Sequence, residues 1–82
     1  MLVNAIKKGM AVKMQSGWKA VMADNKKGVI RMVTVSGPYI ETGSEYVSKI
    51  AEVFNPETEK WESVELSPAQ EKQLAVIHAA GF

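Results

Sequence analysis

The sequence predicts a mainly β fold finished by one C-terminal helix. Between Met10 and Leu66 the apolar residues fall in short runs at strand spacing, separated by turns bearing glycine or proline. From Ser67 onward the spacing becomes helical. At 82 residues the chain has room for one modest core, so a single domain over 1–82 is expected, without space for a large buried active site. An apolar fraction of 46% and a charged fraction of 23% of mixed sign belong to a folded chain rather than a disordered one.

Residues 2–8 place Leu2, Val3 and Ile6 on one face of a short helical turn, and Gly9 stops it. Met10–Met14 then reads as a strand, Ser16-Gly17 as a turn, and Trp18–Ala23 as a second strand. The polar stretch Asp24–Gly28 leads to a third strand, Val29–Val35. There Val29, Arg31, Val33 and Val35 share one face while Ile30, Met32 and Thr34 share the other, the pattern of an interior strand. Ser36-Gly37-Pro38 breaks the pattern, and an irregular connection through Glu41, Gly43 and Ser44 reaches a run from Tyr46 to Phe54 whose second half is β-like. Asn55–Glu59 is a polar turn into Trp61–Leu66, completing about five strands. Ser67, Pro68 and Gln70 supply an N-cap, a proline at the first helical position and a capping box. Leu74 and Ile77 lie on the helix's packing face, and Gly81 followed by Phe82 predicts a glycine-terminated end with Phe82 packed back on Ile77. With no helical crossover between strands, the expected architecture is a small SH3-like barrel.

Little in the chain supports catalysis. There is no cysteine, which removes disulfides and thiolate chemistry and fits a reducing, cytoplasmic setting. His78 is the sole histidine, with no second imidazole to complete a metal set. In the last helical turn it complements the helix dipole. The glycines form no phosphate-binding loop and the glutamates show no diagnostic spacing, so neither an enzyme, a metal nor a cofactor is expected. The methionines at 1, 10, 14, 22 and 32 are expected in the core. Lys7 and Lys8 interrupt the apolar start, so no signal peptide is read, and no run suits a membrane span.

Charge is the informative feature. Residues 1–40 carry seven Lys or Arg against one Asp, a net of +6, and residues 41–82 carry three Lys against eight Glu, a net of −5. The basic half points to a polyanion. Its candidate RNA-binding residues are Lys7, Lys8, Lys13, Lys19, Lys26, Lys27 and Arg31, which can converge from successive strands and turns. Trp18 beside Lys19 is a candidate for stacking an unpaired base if exposed. The opposing expectation is that the two halves neutralise each other, internally or across a homodimer.

The run GMAVKMQSGWKAVMADNKKGVIRMVTVSG, followed by ETGSEYVSKIAEV, resembles small SH3-like proteins of tailed bacteriophages in its Gly-Trp second strand, its Lys-Gly turn and its Glu-x-Gly-Ser-x-Tyr-Val segment. The resemblance covers residues 6–54. The whole chain is similar to the T-even phage inhibitors of type III toxin-antitoxin endoribonucleases. That likeness implies an RNA-binding antitoxin that captures a bacterial endoribonuclease toxin together with RNA, in the host cytoplasm. The competing expectation is a protein-only adaptor or inhibitor whose acidic half meets a basic partner.

Overall fold

The structure, a computed structural model, describes residues 1–81. The expected packing of Phe82 lies outside them. Six strands, β1 (Ala11–Met14), β2 (Lys19–Met22), β3 (Ile30–Ser36), β4 (Ile40–Tyr46), β5 (Ile50–Asn55) and β6 (Lys60–Ser63), precede one helix, α1 (Pro68–Ala79). Short 3-10 turns occupy Val3–Ala5 and Val47–Lys49. The expected helix over residues 2–8 is thus a single turn. Its Ile6 carbonyl is turned to an internal side chain instead of continuing a helical ladder.

All strands belong to one antiparallel sheet in the order β4-β3-β2-β1-β5-β6. No ladder joins β4 to β6 among the described residues, so the pairing is that of an open sheet. The sixth strand is β4, where the sequence suggested an irregular connection. Only one large apolar residue starts Ile40-Glu41-Thr42-Gly43-Ser44-Glu45, yet the full length of the strand pairs with β3, from Ser36 opposite Ile40 to Ile30 opposite Tyr46. The β6 side is extended by the chain start. Val3 N donates to the Glu65 carbonyl at 3.0 Å and Glu65 N to the Met1 carbonyl at 2.8 Å. β4 therefore remains the bare edge.

One face of the sheet carries the core. Alternation buries Val12 and Met14 on β1, Ala20 and Met22 on β2, and Val33 on β3, and a register shift after Lys13 bends β1 so that it also pairs with β5. Val3, Ile6, Val29, Val47, Ile50, Val53 and Leu74 complete the cluster. Of the expected core methionines, Met14 and Met22 are buried and Met1 and Met10 are packed against the cluster, whereas Met32 projects from the other face with Thr34.

The helix starts as its sequence dictates. Gln70 N donates to Ser67 Oγ at 3.2 Å and Ser67 N to Gln70 Oε1 at 3.0 Å, a reciprocal capping box with Pro68 in the first turn. Leu74, 4% exposed, and the half-buried Ile77 close the core, while Gln70 Nε2 donates to Asn4 Oδ1 at 2.9 Å and ties the helix to the N-terminal turn. Because one leucine supplies most of this docking, Leu74→Ala is expected to lower unfolding free energy by about 2–5 kcal/mol. Chemical denaturation checks this, and a loss below about half a kcal/mol would mean that the helix does not seal the core.

Candidate nucleic-acid interface

Arg31 is the first correction to the sequence-derived set. It is 1% exposed, and its guanidinium is consumed internally. Nε donates to Asp24 Oδ1 at 2.6 Å, Nη1 to the Val3 carbonyl at 3.0 Å, and Nη2 to the carbonyls of Ile6 at 2.8 Å and Asp24 at 2.9 Å. Asp24 Oδ2 accepts from Met32 N at 2.9 Å. Its place on the core face with Val33 follows from strand alternation, and with four of its five N–H donors spent on internal acceptors a cation so enclosed is out of reach of phosphate. Arg31 instead fixes the N-terminal turn and the β2–β3 loop to one another.

That brace positions four lysines. Lys7 and Lys8 lie in the loop before β1, and Lys26 and Lys27 lie between β2 and β3. The loops are cross-linked, because Lys8 N donates to Asn25 Oδ1 at 2.7 Å, Gly9 N to the Met22 carbonyl at 2.8 Å, and Gly28 N to Asn4 Oδ1 at 3.3 Å. Gly9 (φ 94°) and Gly28 (φ 112°) take left-handed turns that a side chain would strain. All four lysines are exposed. The ion pairs among the described residues are Arg31 with Asp24 and the Met1 ammonium with Glu62. None of these four lysines forms an ion pair among the described residues.

Lys13 and Lys19 form a second group. They face each other across β1 and β2 on the outer face of the sheet, at the far end of these strands from the two loops. Lys13 lies opposite Glu52 on β5 and holds its ammonium 4.3 Å from the centre of the Trp61 ring, which packs edge-to-face on Phe54 at 5.4 Å. Sequence reasoning missed Trp61 because it sits in the acidic half. The signal for it was the register that brings β5 and β6 beside β1.

Trp18 is 45% exposed, but it does not share the lysines' surface. One residue before β2, it points to the opposite face from Lys19, and its ring lies over Gly37, where any Cβ would overlap it. It borders a groove of about 270 Å³ with Val33, Val35, Gly43 and the carboxylate-bearing Glu41 and Glu45. A phosphate chain following Lys26 and Lys27 would meet negative charge there, so Trp18 leaves the RNA-contact set.

Compared with known protein families, curated proteins and solved structures, the chain matches none of them. No helix among the described residues is long and apolar enough to cross a membrane.

The brace has a pH signature. Burial alone raises the Asp24 carboxyl, but the hydrogen bond and charge of Arg31, with the Met32 and Lys26 amides, outweigh it and hold the group below its ordinary value of 3.8. A depressed folded value means stability present above the ordinary pKa and lost as pH falls through the folded one. Between wild type and Asp24→Asn, the difference in unfolding free energy is expected to be constant near neutrality and to shrink below about pH 4. A difference independent of pH down to acid unfolding would show that the carboxylate charge is not what holds Arg31.

Proposed function

We propose that this chain is a small non-catalytic RNA-binding module of the SH3-like phage type. It would act as an antitoxin by joining a bacterial endoribonuclease toxin in a complex with RNA. The observation that carries the RNA reading is the pairing of two cross-linked loops, each presenting two adjacent exposed lysines without carboxylate partners. Four ammonium groups held at one end of the sheet suit a flexible phosphate backbone, which needs charge at several points and little directional fit. The toxin partner and the phage setting rest on the motif resemblance.

The contact set proposed for phosphate is Lys7, Lys8, Lys26 and Lys27, with Lys13 and Lys19 as an outlying pair. Because the first four lie on loops pinned through backbone and buried groups, removing their charges should leave the fold intact. Replacing Lys26 and Lys27 together with alanine is expected to weaken binding to unrelated single-stranded RNAs alike. It should also flatten the slope of log affinity against log salt by about one to two units, at about 0.7 per phosphate contact. The thermal midpoint should stay near wild type. Fluorescence anisotropy across a salt series checks this. Absence of RNA affinity at low salt, or an unchanged slope in the double variant, would overturn the reading.

A further inference from the structure

We infer that the groove beside Trp18 and the bare β4 edge form a second binding site, which takes an extended protein segment carrying cationic side chains. The inference does not depend on the RNA reading, since the groove is lined by the end of β1, the turn after it, β3 and β4, and by none of the proposed phosphate contacts.

Residues directly paired in an antiparallel ladder share a face. The pairs Val35 with Glu41 and Val33 with Gly43 therefore place Glu41, Gly43 and Glu45 on the same side as the core valines. There Gly43 carries no side chain, and a Cβ built on it meets nothing within 4 Å. The result is a slot floored by Val33 and Val35, walled by the exposed Trp18 ring and flanked by two carboxylates two residues either side of Gly43. Both glutamates belong to the strand whose outer edge no other strand covers among the described residues.

A strand added to β4 would complete its hydrogen bonds and set its alternate side chains over Glu41, Gly43 and Glu45. The matching pattern is cation-x-apolar-x-cation: an apolar residue fills the slot at Gly43, while Arg or Lys meets each carboxylate, with the indole available for stacking. A second copy fits poorly. Antiparallel self-pairing centred on Gly43 would oppose Glu41 to Glu45 twice, and like charges directly opposite each other are unfavourable. The site selects a basic heterologous segment.

The test uses a labelled peptide containing Arg-Thr-Leu-Thr-Arg, with a control in which both arginines are glutamate. The 82-residue chain is expected to bind the first and not the second. The double change Glu41→Gln and Glu45→Gln should weaken binding about three- to thirtyfold. Gly43→Val, which fills open space at a position without positive φ, should abolish peptide binding while leaving single-stranded RNA binding and the thermal midpoint unchanged. Equal affinity for the two peptides, no binding, or indifference to both variants would overturn the inference. So would displacement of the peptide by RNA, or a dimer in sedimentation that Gly43→Val dissociates.

Discussion

The guanidinium of Arg31 is enclosed where the N-terminal turn, the β2–β3 loop and the core face of β3 meet, and it answers to all three. Burying a cation is costly unless a counter-charge and a complete set of acceptors go with it. Here Asp24 supplies the charge and the carbonyls of Val3, Ile6 and Asp24 the remaining acceptors, and no buried side-chain polar atom among the described residues lacks a partner. The consequence is reciprocal. The Val3 carbonyl serves both its own 3-10 turn and Arg31, and the Ile6 and Asp24 carbonyls are directed inward, so two polar loops are tied together at one end of the sheet.

From that end, the two faces of β2 divide the molecule. Lys19 and Val21 point outward, whereas Ala20 and Met22 point into the core with Trp18 at the rim. Alternation along one four-residue strand thus separates an indole from the lysine next to it in sequence. The lysine loops remain open and uncompensated, while the glutamates nearest Trp18 line a groove on the other side. The loop lysines and the groove glutamates thus lie on different parts of the surface, so the two proposed binding sites would not overlap.

Elements specified by local chemistry were legible in the sequence. Ser67, Pro68 and Gln70 determine the helix start through bonds within four residues, and the face shared by Arg31, Val33 and Val35 follows from period-two alternation alone. What escaped depended on pairing or enclosure. β4 has almost no apolar alternation because it is an edge strand, and it exists through its ladder with β3. The enclosure of Arg31 depends on carbonyls 25 and 28 residues away, so the sequence showed the charge and not its partners. Trp61 gained its lysine neighbour through register between strands distant in sequence.

On the proposed function, the brace holds Lys7, Lys8, Lys26 and Lys27 as a single RNA-binding surface. Amide chemical-shift mapping of isotope-labelled protein during titration with a short single-stranded oligouridylate tests it most directly. Shifts are expected to concentrate in residues 7–9 and 25–28 and to move together along one binding curve, with the amides of Trp18 and β4 unmoved. Shifts confined to the Trp18 groove and β4, or two loops responding with separate affinities, would contradict it.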